Sequence, residues 1–455
     1  MSWFANKKAQ KTISTSILVI LFLVILLFSN RLLWYLLVDD TNSYTRITLH
    51  ELYHQEDNID VLFLGSSHCY RSLDTSITDE LFGTNTFNAG SSGQALDGSY
   101  ALLKEAAKNN RLKKVYVELY YSIVGDNFSD RDQMTQVYII SDYMKPSLNR
   151  FSYLVNASST AHWINGFFPA RRNWDKLFKS FYVSRLVRKK NRDSYKNYEY
   201  IEHLDTSGEY YAGKGFVGCT ETIENGNFSA EGSLGSAKRV FSEDDVRCLE
   251  KIIRFCKKND IELTFFSAPM SDFKLAGTGD YDSYIQYVRD FMSEYSIPYY
   301  DFNLCKEEYF SYDSNLFIDI GHMNTLGAEA FSKVFSEFFT GRVSEEDLFY
   351  SSYEEKLASI EDHFYGLVYE LEHLENEKVF DFKAVQNRSF DYFASVSKKA
   401  AGTEEYEEIQ ALGGIEKVKV PADEEGQLMI CIFSDKDGTQ MTNQITIDLS
   451  FAFHL

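Results

Sequence analysis

Three short segments hold side chains whose types and spacing suit nucleophilic acyl chemistry. Phe63-Leu64-Gly65-Ser66-Ser67-His68 puts a serine just beyond an apolar run. A serine hydroxyl is a poor nucleophile at neutral pH. It needs a base within hydrogen-bond reach and a carboxylate to orient that base. Asp319-Ile320-Gly321-His322-Met323-Asn324 supplies both from one loop, with the aspartate three residues before the histidine. Asn324 is placed to cap the helix that follows. Phe87-Asn88-Ala89-Gly90-Ser91-Ser92-Gly93-Gln94 offers backbone N–H groups, at Gly90 or nearby, for a developing oxyanion. Taken singly, the first and third segments are also common Gly/Ser turns, and a histidine in a solvated loop is the usual case. His68 is a further candidate for lining the site, or else a packing or capping residue, and Glu118 at a strand end is another.

The elements that must position these residues are legible from periodicity. Ile59–Leu64 is a compact apolar run ending in Gly65, as in a buried parallel strand. A short strand follows near Thr86–Asn88, then a helix over Leu96–Lys108 and a strand over Val115–Tyr120. After an irregular stretch from about 125 to 240, the alternation resumes. A helix is expected over Glu243–Lys258, a strand over Glu262–Ser267 and a helix over Tyr281–Tyr295. A strand over Ile297–Phe302 and a helix over Thr325–Phe339 complete the series. Five strands alternating with helices imply a parallel sheet with helices on both faces, and such sheets bind ligands beyond the carboxyl ends of their strands. The serine and the Gly/Ser segment both fall at those ends.

A serine after the first strand, a glycine loop after the second and DxxH before the last helix resemble the SGNH (GDSL-like) hydrolase superfamily. The resemblance covers about residues 59–125 and 242–340. It implies a flavodoxin-like fold in which Ser67 is the nucleophile, His322 the base and Asp319 its orienting acid, with the backbone N–H groups of Ser67 and Gly90 as the oxyanion hole. The chain departs from the pattern after the third strand. There the superfamily's Gly-x-Asn-Asp is replaced by Glu118-Leu119-Tyr120-Tyr121-Ser122, so the usual Asn donor is missing and Gln94 is the substitute in the sequence. His68, Gln94 and Asn324 are the candidate substrate contacts.

The run Ile13–Val38 holds an apolar core, Ile17–Phe28, with flanks that complete a span of the roughly 20 residues a bilayer requires. Lys7, Lys8 and Lys11 precede it and Asp39 and Asp40 follow, which predicts a cytoplasmic N-terminus and an extracytoplasmic remainder. A cleaved signal peptide is the rival expectation, but no A-x-A site follows. The anchor and the Gly-Ser-Ser motif together resemble the membrane-anchored DltD and alginate-acetylation-type proteins. These work beside membrane-bound O-acyltransferases, although His68 stands where DltD-like proteins usually have Glu.

Composition bounds the rest. The chain has 455 residues and a formal charge of −21, which disfavours nucleic-acid partners. Six cysteines without a CxxC pair or Cys/His cluster give no zinc spacing and no disulfide framework. A basic cluster, Arg185 to Lys190, is either a solvated helix face or a site for an anionic polymer or membrane surface. The organisation expected is an anchor over 1–40 and a hydrolase-like domain over 41–340 with an insertion at about 125–240. A helical linker over 341–376, read as one long acidic amphipathic helix over Glu345–Asn376, then leads to a small β-rich appendage over 377–455. In that appendage Leu428–Phe433 and Gln444–Phe453 are the clearest strands. The function implied is an extracytoplasmic serine O-acyltransferase or esterase. It would act on a cell-envelope glycan or teichoic-acid-like polymer, without metal or other cofactor, and a membrane-bound O-acyltransferase is a candidate partner. The alternative is a non-catalytic binding or scaffold protein on the same fold.

Overall fold

A computed structural model describes residues 2–449 apart from 126, 129–133, 201–207, 224–226, 233, 236–238 and 416. The strands, in chain order, begin with β1 (Val61–Leu64), β2 (Thr86–Asn88) and β3 (Lys114–Glu118). A hairpin of β4 (Glu209–Gly213) and β5 (Phe216–Cys219) follows, then β6 (Ser229–Glu231), β7 (Glu262–Ser267) and β8 (Tyr299–Asp301). Five of them form one parallel sheet in the order β2-β1-β3-β7-β8. Counted within the sheet this is 2-1-3-4-5, one of the two common doubly wound orders.

Burial explains why apolar runs, not alternating ones, build this sheet. Val61, Phe63, Tyr116 and Phe266 join a core that includes Phe331 and Phe335 of the helix Thr325–Phe339. The pleat turns their neighbours Leu62, Val115, Val117 and Phe265 to the opposite face, and these are equally buried. The sheet is therefore covered by helices. The ring of Phe335 lies 5.1–5.8 Å from those of Phe63, Tyr116, Phe266 and Phe302, an aromatic contact set that fixes the last helix. The helix Glu243–Lys258 shows why sequence placed it correctly. Ser242 and Asp245 form a capping box, three acids open it and Lys257 and Lys258 close it. Its Cys248 and Cys256 are buried and free, as are Cys69, Cys219 and Cys305.

The C-terminal region is β-rich. It comprises β9 (Phe364–His373), β10 (Glu377–Gln386), β11 (Phe393–Ala400), β12 (Glu407–Gly413), β13 (Lys417–Pro421), β14 (Gly426–Phe433) and β15 (Met441–Asp448). Two four-stranded sheets, β13-β10-β9-β6 and β12-β11-β14-β15, share one apolar core that includes Leu367, Phe380, Val396, Leu428, Ile430 and Ile445. The expected strand over Gln444–Phe453 is part of β15, and its residues 450–453 lie outside the described residues.

The long helix expected over Glu345–Asn376 is not formed. Two short helices, Glu345–Leu348 and Tyr353–Ser359, are followed by β9. Tyr369-Glu370-Leu371-Glu372 alternate with period two, and Phe364, Tyr365, Val368 and Tyr369 favour a strand. Pairing with β10 along the whole of β9 settles the outcome. The second short helix is pinned by Lys356, which is fully buried. Its Nζ donates to Asp272 at 2.7 Å and to the Asn303 carbonyl at 3.2 Å, and sits over the Tyr312 ring.

Contacts divide the chain into two compact units, one of residues 1–50 and 128–203, the other of 51–127 and 204–455. The first unit is helical. Its N-terminal helix, Ser2–Leu37, contains a 26-residue stretch, Thr12–Leu37, long and apolar enough to cross a membrane. The helices Thr135–Ser141, Leu148–Asn156, Thr160–Phe167 and Ser180–Lys190 and the 3-10 segment Pro169–Phe178 belong to the same unit. Asp40, just past the apolar helix, is buried. It pairs with Lys190 at 2.8 Å and accepts from the Tyr195 hydroxyl, while Arg46 lies over the Tyr195 and Tyr198 rings. Of the basic cluster, Lys190 is thus buried in an ion pair and Lys189 pairs with Asp39 at 3.1 Å. Neither is available to an anionic polymer.

Candidate active site

The site lies within the second unit, at the carboxyl end of the parallel sheet. The chain leaves β1 through Gly65 and Ser66 and enters the helix Ser67–Ser72, whose N-cap is Ser66. Gly65 is required there. A Cβ on it would lie 2.6 Å from Cβ and Oε2 of Glu118 and 2.8 Å from Cβ of Cys69. Glu118, at the end of β3, is buried beneath this turn. Its Oε2 accepts from the Ser66 N–H at 2.9 Å and the Ser66 hydroxyl at 3.0 Å. Burial pushes its carboxyl up to about 7, against the downward pull of those two bonds.

The histidine loop is a tight hairpin-like excursion. Phe317 pairs with Met323 as an isolated antiparallel bridge, and the Ile318 N–H donates to the His322 carbonyl at 2.9 Å. Within the loop, Oδ1 of Asp319 accepts from the N–H groups of Gly321 and His322, each at 2.8 Å. Its other oxygen, Oδ2, is 2.7 Å from Nδ1 of His322, and Nε2 of His322 is 2.7 Å from Oγ of Ser67. Partial burial acts to raise the Asp319 carboxyl, but the His322 imidazole and the two N–H donors outweigh it. They hold the group well below the usual carboxylate range. An ionised Asp319 fixes the imidazole with its proton on Nδ1 and its lone pair toward Ser67. The three residues singled out in the sequence are therefore brought into one connected chain of hydrogen bonds.

The remaining candidates are placed differently. The Ser67 N–H, at the first position of its helix, has no hydrogen-bond partner among the described residues and can serve an oxyanion. Gly90 lies against the turn as expected, with its Cβ position 3.1 Å from the Ser66 carbonyl oxygen. Its N–H, however, donates to Oδ1 of Asn88 at 3.1 Å, so the expected second oxyanion donor is already engaged. Gln94 is not a replacement donor. Its amide nitrogen donates to Ser99 and its oxygen accepts from Ser91, so the side chain braces its own loop. Asn324 is not a substrate contact either. It is buried, caps the last helix by accepting from the Gly327 N–H, and donates to the Asn315 carbonyl.

His68 is buried and borders the candidate triad. Its ring stacks on Tyr120 at 3.7 Å and lies 4.8 Å from the His322 ring, and its Nε2 has no hydrogen-bond partner among the described residues. Burial, reinforced by the neighbouring His322 imidazole, holds the His68 ring well below its usual range.

Three residues without an assigned role in the sequence prove structurally important. Asn88 ties the Gly loop to the serine helix, donating to the Cys69 carbonyl at 2.9 Å while accepting from Gly90. Tyr120 supplies the stacking surface for His68. Ser271 donates to the Ile320 carbonyl and steadies the histidine loop. Asn88 and Tyr120 both stand at strand ends beside the candidate site, which is the signal that marks them. Ser271 carried no local signal, because its partner is distant in sequence.

No protein-family model matches the chain, and no curated protein matches it. Among solved structures, β-glucosidase 3B from Thermotoga neapolitana aligns in its glycerol complex at 9% identity with a TM-score of 0.13, over 91% of this chain and 88% of that one. Its α-D-glucose complex aligns over the same shares at 10% identity, also with a TM-score of 0.13. At that TM-score the likeness carries no argument about fold or chemistry.

Proposed function

We propose that the protein is a membrane-anchored serine acyl-transfer enzyme of SGNH type, an O-acyltransferase or esterase acting on a cell-envelope glycan or related polymer. The observation that supports it most is the continuous arrangement Ser67–His322–Asp319, with both links at 2.7 Å. His322 Nε2 accepts the Ser67 proton as Oγ attacks an ester carbonyl. The oxyanion forms next to the Ser67 N–H. Collapse breaks the ester bond, and His322 returns the proton to the departing alcohol, leaving acyl-Ser67. An incoming sugar hydroxyl or water then gives its proton to His322, attacks the acyl carbon and restores Ser67. Asp319 stays ionised throughout and stabilises the imidazolium.

The oxyanion donors are sparse, since Gly90 and Gln94 are both engaged elsewhere, and this slows acyl transfer and hydrolysis alike. Loss of one such donor costs about 10²–10³ in turnover where it has been removed from a hydrolase. The glycan acceptor, an extracytoplasmic site and a membrane-bound O-acyltransferase partner follow from the resemblance and from the apolar N-terminal helix. The test is incubation of the full chain with an acetyl ester probe, with and without a glycan acceptor. Acetylated glycan with little free acetate, both lost in Ser67→Ala, is the expected result. Steady release of acetate unaffected by the acceptor would make the protein an esterase. The same engaged donors favour a second reading, a non-catalytic glycan-binding protein. That reading holds if neither product forms while the glycan still binds Ser67→Ala protein.

A further inference from the structure

The helical unit carries an apolar surface that the triad does not use. Phe151, Ile164, Trp174, Leu177, Phe178 and Phe181 are 46–78% exposed. They lie on helices tied to the C-terminal part of the apolar N-terminal helix. The Asn30 amide donates to the Phe167 carbonyl at 3.4 Å and the Tyr182 hydroxyl to the Leu37 carbonyl at 3.1 Å. Between the N-terminal helix and the 3-10 segment runs a groove of about 250 Å³, lined by Leu26, Leu33, Leu37, Phe168, Trp174 and Leu177. Exposed apolar surface on this scale marks an interaction site.

The height of this surface on the span identifies what covers it. The apolar stretch of 26 residues is about 39 Å long at 1.5 Å per residue, against about 30 Å of hydrocarbon. Asn30, Arg31, Trp34 and Tyr35 near its C-terminal end are the residue types of the head-group region, which places the final turns there. The groove reaches from Leu37 back to Leu26, about 16 Å along the helix axis, and so crosses that boundary. The segment 169–190 is also basic within an acidic chain. Arg171, Lys179, Arg185 and Arg188 are exposed, and Asp175 is its single acidic residue. Aromatic rings and cations on a short helical segment are the composition of an element lying in a membrane interface.

We propose that residues 148–188 form an interfacial collar seated in the bilayer beside the C-terminal end of the span, with phospholipid filling the groove and lipid phosphates meeting the basic residues. The inference rests on the N-terminal helix being a membrane span. The occupant is lipid because the surface is continuous with the lipid-facing surface of the span.

The test uses the full chain in nanodiscs made with phospholipid brominated on its acyl chains, which quenches nearby tryptophan. Trp3, Trp34 and Trp163 replaced by Phe leave Trp174 as the single reporter. A second protein with all four tryptophans replaced by Phe and Val24→Trp reports the span. Loss of Trp174 emission comparable with that of the span reporter is the expected result. A quenched span reporter with an unquenched Trp174 overturns the collar, leaves the span standing and assigns the face to a protein partner. An unquenched span reporter overturns both. Trp174→Phe in the otherwise unaltered chain guards against disturbance by the multiple replacements. The quenching it removes belongs to Trp174, and no change on that replacement also overturns the collar.

Discussion

Ser67, His322 and Asp319 were recoverable from residue type and chain order because each brings a distinct chemical property, and loops at strand ends converge. The contacts made by the supporting residues were not recoverable, because side-chain direction is not written in local sequence. Gln94 is near the Gly loop in the chain yet bonds Ser91 and Ser99, while Glu118 reaches under the serine turn from a strand more than fifty residues away. Asp319→Asn keeps the shape of the loop but no longer holds the proton on Nδ1 of His322. Acyl transfer to a model acceptor should fall by up to about 10⁴-fold with the fold intact by circular dichroism. Glu118→Gln makes a separate prediction. Its folded-state carboxyl, raised to about 7, binds a proton more tightly than the unfolded chain does at about 4.5. Its favourable contribution is therefore complete below about pH 4.5 and is lost as pH rises through about 7, amounting to about 3 kcal/mol. The Gln variant keeps an acceptor for Ser66, so denaturant unfolding should show that it loses less stability than the parent between pH 4.5 and 8.

Among the elements, those with a clean period were placed within a few residues, because burial on one or both faces imposes that period directly. The helix expected over Glu345–Asn376 failed at β9, where intermingled glutamates and leucines fit either periodicity and partnership with β10 decided. The turn from β1 into the serine helix is set by Gly65. Gly65→Ala puts a methyl against Glu118 and Cys69, which should cost about 1–3 kcal/mol in unfolding experiments and slow turnover further by moving Ser67. Lys356→Met removes the cation from a fully buried pair and strands Asp272. A loss of about 3–5 kcal/mol in chemical denaturation is expected. Asp272→Asn placed in the same chain should recover part of it.

At the scale of the whole molecule, the apolar N-terminal helix, the parallel sheet and the β-rich C-terminal region were each visible in composition and pattern. Their connections were not. β6, at residues 229–231, pairs in parallel with β9 at 367–369, so the end of the region read as an insertion completes a sheet formed more than a hundred residues later. Such long-range pairing leaves no trace in a local window. Truncation after Gly341 should leave the edge of β6 unpaired and uncover the apolar core that Leu348, Tyr365 and Val385 help to close, giving aggregated protein in size-exclusion chromatography.

Covalent labelling of the whole 455-residue chain with a fluorophosphonate, followed by peptide mapping, decides whether Ser67 is an activated nucleophile. A single phosphonyl adduct on Ser67, absent in Ser67→Ala and formed far more slowly in His322→Ala, is the expected result. A folded protein that takes no adduct at Ser67, or one labelled there at the same rate without His322, would contradict an activated serine.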